Sequence, residues 1–372
     1  MIGTSLVGGS GVNNPMVLLM TLAGLAIVFG FIFYGMRIQL DSMLWQLSKH
    51  VRRARDLSSG ARRRLVAELL RYYGGGEHEL SARVDEALSS LVIQPVSLDP
   101  HGIVPKLDHV LRVWDRSLED TVGRLAPKAD PVSRKNLTNL LELTVELERL
   151  RKILDHYYAS AKRDHDLISL SYLQVYLPFI MEEAEALSSG VDALARGVPI
   201  GDSLGPMVVR SLIGDAKPRR IAEDTVFYEV DFEGRRLIAV KAEGPGGTVG
   251  RPGEAVEKLL EIYRNTKLVI SVDAALKLEG EETGSLAEGV GVAMGGPGTD
   301  RFYIEEAASR MGIPTYAVVV KMSEREAISA MPEPVRAAVP RAADAVRRVI
   351  RENTSPGDSV IVVGVGNTVG VP

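Results

Sequence analysis

The stretch SVIVVGVGN, residues 359–367, joins an apolar β-branched run to a glycine turn. A buried strand that ends in glycines, which let the backbone approach a ligand closely, typically opens an α/β domain. Here the stretch follows every other candidate strand along the chain instead of preceding them. The fold therefore depends on where this late strand enters the sheet.

The composition of the 372 residues excludes several kinds of chemistry. The net charge is −4, so we expect no nucleic-acid partner. No cysteine is present, which excludes disulfides, thiolate zinc sites, iron–sulfur clusters and cysteine nucleophiles. The last histidine is His165, so any chemistry in the second half of the chain runs without imidazole.

The segment Met16–Met36 carries no charge across 21 residues, which is long enough to span a membrane as a helix. A secretory signal peptide would need a positive residue before the apolar run and small residues at a cleavage site. Neither is present, because no Lys or Arg precedes Arg37 and bulky Phe31 and Phe33 occupy the cleavage zone. We therefore predict an uncleaved anchor that contacts membrane lipid.

A basic cluster follows this segment. It consists of Arg37, Lys49, Arg52, Arg53, Arg55, Arg62, Arg63 and Arg64. The positive-inside rule then predicts a single-pass protein of the cell membrane with the bulk of its chain in the cytoplasm. Nucleic acid is an alternative partner for these residues, but contact with anionic headgroups is favoured.

The region from Arg37 to about Gly197 has a helical pattern. Between Arg134 and Lys162 apolar residues recur mostly at spacings of three and four, which predicts one long amphipathic helix. A second helix contains the apolar stretch Leu167–Met181, which is short for a span. We expect this stretch to be buried against the first helix or interfacial, and the hairpin to form a homo-oligomer. A simple spacer is the alternative.

One cluster in this region carries possible metal ligands, namely Asp99, His101, Asp108 and His109. Oxygen and imidazole groups at such spacing can bind a metal. However, Asp-Pro and His-Gly are also common in turns, and adjacent helical residues point about 100° apart. We predict no metal and no other cofactor.

After Gly197, short β-branched runs alternate with helical segments. The predicted strands are 225–230, 236–241, 267–272, 289–293, 316–320 and 359–364, and the predicted helices are 204–212, 253–265, 300–311 and 332–353. This alternation predicts a doubly wound, mostly parallel sheet with helices on both faces. The expected domains are residues 1–37 (tail and transmembrane helix), 38–197 (helical region) and 198–372 (α/β domain).

Two carboxylates occupy positions where such sheets bind ligands, beyond the carboxyl ends of strands. Asp273 follows the predicted strand 267–272, and Asp202 opens a helix in GDSLGP. The alternatives are a helix N-cap for Asp202 and a turn residue for Asp273. Three glycine-rich segments accompany them, but none has the spacing of a nucleotide-binding loop.

Four segments together resemble the spore-germination proteases and the hydrogenase-maturation endopeptidases. They are VIVVGVGN (360–367), GDSLGPMVV (201–209), LVISVDAAL (268–276) and GVAMGGPG (291–298). In those families the G-x-G-N strand comes first, so the resemblance implies a circularly permuted, phosphorylase/hydrolase-like domain. The last strand would then lie beside the strand leading to Asp273, with Asn367 next to Asp202.

The same resemblance implies a metal-independent aspartic-type endopeptidase acting on a protein or peptide. Asp202 and Asp273 would be its catalytic pair. Ligand or oxyanion binding would fall to Gly295, Gly296, Gly298, Gly366 and Asn367. The hydrogenase-maturation endopeptidases recognise a bound nickel ion with carboxylates and a histidine. The lack of histidine after His165 makes this role doubtful for the present sequence.

The layout of the whole chain also resembles an uncharacterised archaeal membrane-protein family with one N-terminal span, a helical middle and a GDSLGP domain. That family implies no particular activity. A non-catalytic, membrane-tethered binding or assembly module therefore stays open as the alternative function.

Overall fold

The computed structural model describes residues 15–90, 103–164, 167–296 and 298–372. The chain forms two compact units. One contains the chain up to Arg53 together with Ile153–Pro178, and the other contains Ala54–Lys152 together with Phe179–Pro372. The division into three domains along the sequence stays a prediction.

In the described part of the chain, five helices precede the sheet. They are α1 (Pro15–Leu70), α2 (Glu77–Ser90), α3 (Ile103–Leu125), α4 (Pro131–Asp164) and α5 (Leu167–Arg196). The expected membrane segment is the first part of α1, whose apolar side chains are exposed. Among the described residues, α1 is the one helix that is long and apolar enough to cross a membrane.

The predicted long amphipathic helix is α4. It begins where Asp130 accepts hydrogen bonds from the N–H groups of Val132 and Ser133, at 3.0 and 3.1 Å. This cap satisfies free amides of the first turn, and Pro131 fixes the backbone angle there. The sequence around residue 130 therefore determines the start of α4.

The predicted apolar stretch of α5 has two different faces. Its buried residues are Leu170, Leu173, Leu177 and Met181, and its exposed large apolar residues are Ile168, Tyr172, Val175, Tyr176 and Phe179. The stretch therefore carries apolar residues on its buried face and on its exposed face. We call the exposed set the α5 stripe.

A seven-stranded sheet forms the body of the C-terminal half. Its strands are β1 (Arg219–Ala222), β2 (Thr225–Phe232), β3 (Arg235–Ala242), β4 (Thr266–Leu276), β5 (Leu286–Val290), β6 (Thr315–Met322) and β7 (Ser359–Gly364). They lie in the order β1-β2-β3-β7-β4-β6-β5. The strand of the opening motif, β7, thus lies in the middle, parallel to both β3 and β4.

The sheet is mixed rather than mostly parallel. Strands β3, β7, β4 and β6 are parallel, whereas β1–β2, β2–β3 and β5–β6 are antiparallel. Glu233 and Gly234 alone join β2 to β3, and both have positive φ angles, 51° and 76°. A two-residue connection of this kind joins only antiparallel strands.

Two other details differ from the sequence-based expectation. The strand predicted at 289–293 is β5, which lies three residues earlier, and its predicted last part is a loop. The short elements β1 and α9 (Glu324–Ile328) were not predicted. Four or five residues are too few to show a hydrophobic period.

Helices cover both faces of the sheet. Helices α6 (Leu204–Ile213) and α10 (Glu333–Asn353) share one apolar core with the strands. Helices α7 (Pro252–Ile262) and α8 (Thr299–Arg310) share the other. Successive residues of β3 alternate between the two cores, as the pleat of a strand requires.

Helix α6 lies directly on the backbone of the two central strands. A Cβ atom at Gly205 would lie 2.2 Å from the carbonyl oxygen of Val365 and 2.5 Å from that of Val272. A Cβ atom at Gly364 would lie 2.4 Å from the Gly205 carbonyl oxygen. Only glycine permits this approach, which brings the residues before α6 to the carboxyl ends of β7 and β4.

Replacing Gly205 by alanine tests this contact. The methyl group would meet two backbone oxygens that cannot rotate away, so we expect the free energy of unfolding to fall by about 3 kcal/mol or more. Gly123→Ala is the matched control, because Gly123 lies inside α3 with no atom within 4 Å of its Cβ position. That variant should be more stable by about 0.5–1 kcal/mol.

Urea unfolding of the detergent-solubilised chain measures both effects. Equal stability of the two variants would show that α6 does not depend on the close contact.

Candidate active site

Asp202 lies in a single helical turn, Gly201–Ser203, just before α6. It is not the N-cap of α6, which is Ser203. Its Oδ2 atom instead accepts a hydrogen bond of 2.7 Å from the backbone N–H of Asn367, in the turn after β7. The residue is half-buried, and burial raises the pKa of its carboxyl group above the ordinary value.

Asp273 lies near the end of β4 and is only 3% exposed. Its Oδ1 atom accepts from the N–H of Ala274 at 2.7 Å, and its Oδ2 atom accepts from the N–H of Gly295 at 2.8 Å. These two bonds hold the carboxyl group in a fixed orientation. Its role is therefore more than that of a turn residue, because it also binds a loop that is distant in sequence.

The two carboxyl groups line one cavity of about 250 Å³ at the carboxyl ends of the central strands. Burial raises the pKa of Asp273 to about 7, and the negative charge of Asp202 contributes to this shift. Two neighbouring carboxyl groups in one buried site do not both ionise readily. Near neutral pH a substantial fraction of Asp273 is therefore protonated.

The glycines expected to stabilise an oxyanion differ in the contacts that their backbone N–H groups make. The N–H of Gly295 is already bonded to Asp273, so this glycine orients a carboxyl group rather than a ligand. Gly296 and Gly298 also line the cavity, and both have positive φ angles. Within the described ranges no hydrogen-bond acceptor is seen for the amides of these two glycines.

Gly366 lines the cavity of the two aspartates and also packs against the backbone of Asp202. A Cβ atom at Gly366 would lie 1.9 Å from the carbonyl oxygen of Asp202, so only glycine fits there. The side chain of Asn367 does not line the cavity of the two aspartates. Its Nδ2 donates to Oδ1 of Asn139 at 2.7 Å, and its Oδ1 accepts from the N–H of Val369 at 2.9 Å.

A third carboxyl group, Asp300, lines the same cavity and was not predicted from the sequence. It lies in the first turn of α8, and its Oδ1 accepts from the N–H of Gly253 at the start of α7. Burial raises its pKa. An acid at a helix start after a glycine-rich loop was the available signal, but this pattern is also ordinary helix capping.

Helix α4 also takes part in the site. The side chain of Asn139 donates to the carbonyl oxygen of Gly247, and that of Asn136 accepts from the N–H of Gly247. Both bonds are 2.8 Å long. The helical region thus holds the loop after β3 and, through Asn367, the turn that binds Asp202.

The predicted metal-ligand cluster is only partly described. Asp99 and His101 lie outside the described residues. Asp108 accepts a hydrogen bond of 2.8 Å from Arg112 within α3. In the part of the chain that the structure describes, no three His, Cys, Asp or Glu side chains converge as metal ligands would.

Comparison with known families divides the chain at the start of the α/β part. A model described as the N-terminal domain of a protein of unknown function (DUF1512) matches residues 21–197. A second, described as the C-terminal domain of unknown function (DUF1512), matches residues 200–372. A search of curated proteins finds no match. With both models matched in order along nearly its whole length, the chain belongs to the DUF1512 family.

Proposed function

We propose that this protein is a membrane-anchored, cytoplasmic peptidase of the aspartic type that needs no metal. The observation that carries the proposal is the pairing of Asp202 and Asp273 in one cavity, where the charge of Asp202 helps to raise the pKa of Asp273. Aspartic peptidases use two such carboxyl groups, one ionised and one protonated. The resemblance of four segments to the spore-germination proteases supports the same assignment.

In the proposed mechanism the two carboxyl groups share one proton. The ionised carboxylate removes a proton from water, and the water oxygen attacks the carbonyl carbon of the scissile peptide bond. The protonated carboxyl group donates its proton to the carbonyl oxygen. When the tetrahedral intermediate collapses, the C–N bond breaks and the amine leaves with a proton returned by the pair. The amides of Gly296 and Gly298, which line the cavity, would stabilise charge on the carbonyl oxygen.

The first part of α1 would hold this body at the membrane. Its length and apolar exposed surface support a span, and the basic residues after it support a cytoplasmic body. The substrates would then be proteins or peptides near the inner membrane surface.

A specific observation favours a second function, that of a membrane-tethered assembly module. The α5 stripe exposes large apolar side chains, and four of its members recur at helical spacing (Ile168, Tyr172, Val175 and Phe179). An exposed apolar stripe of this kind is typical of helix–helix association. A homo-oligomer formed through the α4–α5 hairpin would bury it.

Replacing Asp202 by asparagine tests whether the carboxyl groups form a pair. Removing the negative charge should lower the pKa of Asp273 from about 7 by about one unit. Asp300→Asn is the matched control, because Asp300 lines the same cavity but does not contribute to the Asp273 shift.

The pKa can be followed through the infrared band of the protonated carboxyl group in protein labelled with ¹³C-aspartate. An Asp273 pKa that is equal in both variants would separate the two carboxyl groups and remove the basis of the peptidase assignment.

Cleavage is tested with a proteome-derived peptide library, incubated with the full chain in EDTA and read by mass spectrometry. Asp202→Asn and Asp273→Asn should each lower the rate by about 10²–10⁴-fold, the usual contribution of a general acid or base. The Asp300→Asn variant should retain most of the cleavage rate of the unmodified protein. The mechanism requires that one carboxyl group of the pair stays protonated. The cleavage rate of the unmodified protein should therefore fall as the pH rises above about 7.

Cleavage that persists unchanged in Asp202→Asn would exclude the aspartic mechanism.

The α5 stripe is tested by its association state. The parent should be a dimer or larger in light scattering of the detergent-solubilised chain, and the double variant Tyr172→Asp, Tyr176→Asp should be a monomer. Charges at these positions would have to be desolvated in an apolar interface. Glu182→Gln, at an exposed position of the same helix, should leave the parent state unchanged. A monomeric parent at all concentrations would refute association through the hairpin.

A further inference from the structure

A second cavity, of about 410 Å³, lies on the face of the sheet opposite to Asp273. The residues that line it include Arg210, Gly214, Tyr228, Lys241 and Glu243. No residue lines both this cavity and that of the aspartates. Lys241 lies two residues after Ala239, which belongs to the core shared with α6, so its side chain points to the α6 face.

Lys241 is buried without a counter-charge. It is 1% exposed, and its Nζ donates to the uncharged carbonyl oxygen of Ala242 at 3.1 Å. No ion pair is seen between this amine and a carboxylate among the described residues, and the Glu243 carboxylate in the same cavity pairs with Arg220 instead. Lysine is almost never fully buried unless it is paired, because an ammonium ion is costly to desolvate. An unpaired buried lysine that lines a cavity therefore indicates a function for the amine.

The surroundings favour the neutral amine. Burial and the positive charge of Arg210 lower the pKa of Lys241 to about 8, against a smaller opposing effect of Glu243. Glu243 is itself ion-paired with Arg220. At pH 7 a pKa of about 8 leaves about a tenth of the amine unprotonated, which is the form that attacks a carbonyl carbon.

Two further side chains complete the cavity. The Tyr228 ring is 6% exposed and lies on the neighbouring strand, with its hydroxyl group able to donate and accept a proton. Arg210 is exposed at the end of α6 and uses Nη1 to bind the Gly214 carbonyl oxygen at 2.7 Å. A guanidinium group has five N–H donors and binds carboxylates through two of them, so Arg210 keeps donors for a ligand.

We propose that this cavity binds a small 2-oxo acid, whose carbonyl carbon forms an imine with Lys241 and whose carboxylate binds Arg210. The nitrogen attacks the carbonyl carbon, and Tyr228 protonates the carbonyl oxygen and recovers a proton from the nitrogen. The hydroxyl group then leaves as water with the second proton of the amine. A C=N bond thus replaces the C=O bond, and no oxidant or reductant takes part. The site is independent of the proposed peptidase pair.

Reductive trapping tests the proposal on the full chain. The protein is incubated with glyoxylate and cyanoborohydride at pH 7, and modified lysines are mapped by mass spectrometry. Lys217, exposed in the same region, is the internal reference. Each unit of pKa depression raises the neutral fraction tenfold, so Lys241 should be modified at least about tenfold faster than Lys217. Modification of Lys241 no faster than Lys217 in the folded protein would overturn the proposal.

Two variants make the test specific. Lys241→Met keeps the length of the side chain without a buried charge, so it should fold, as checked by thermal unfolding, and lose the fast adduct. Arg210→Met should slow trapping of glyoxylate several-fold but leave trapping of acetaldehyde, which has no carboxylate, unchanged. An equal effect of Arg210→Met on both probes would overturn the assignment of a 2-oxo acid.

Discussion

The close contact of α6 with the central strands is the constraint on which the rest of the structure depends. Gly205 and Gly364 allow helix and strand backbones to approach more closely than any side chain would permit. The turn that carries Asp202 therefore lies against the turn after β7, and Asn367 donates its N–H to the Asp202 carboxylate. Because β7 is also paired with β4, the same contact brings Asp202 to the cavity that Asp273 lines.

The parts that were predictable from the sequence have strong local patterns. The apolar β-branched runs predicted the bounds of β2, β3, β4, β6 and β7 to within a few residues. The periodic leucines predicted those of α4 equally well. The neighbourhood of Asn367 and Asp202 was also expected, although it rests on motif order and not on periodicity. The pair character of the two aspartates was expected for the same reason, whereas its catalytic use stays a proposal.

The parts that were not predictable depend on contacts between distant residues. The antiparallel edge follows from the Glu233–Gly234 turn, whose first residue is unusual at positive φ and gives no clear signal in sequence. The hydrogen bond from the Gly295 N–H to Asp273 could not be predicted, because it depends on the position of a loop that is distant in sequence. The burial of Lys241 could not be predicted either, because a lysine inside a β-branched run is typical of the solvent-exposed face of an edge strand.

Helix α4 makes the helical region part of the site rather than only its support. Asn136 and Asn139 bind the loop after β3, and Asn139 also binds the side chain of Asn367. These are uncharged hydrogen bonds between partly buried groups, which are directional and weakly affected by salt. A displacement of α4 would therefore change the position of the turn that carries the Asp202 partner.

The chain order of the sheet has a consequence for how the protein is made. The middle strand β7 is synthesised after all the other strands, more than a hundred residues after β3. Until residues 359–364 leave the ribosome, β3 and β4 each present an open, apolar edge. Over the same period α6 lacks the β7 backbone against which it packs. Such unpaired edges invite aggregation, and long-range parallel pairing is slow. The nascent chain therefore stays exposed to mispairing until almost the whole domain has been translated.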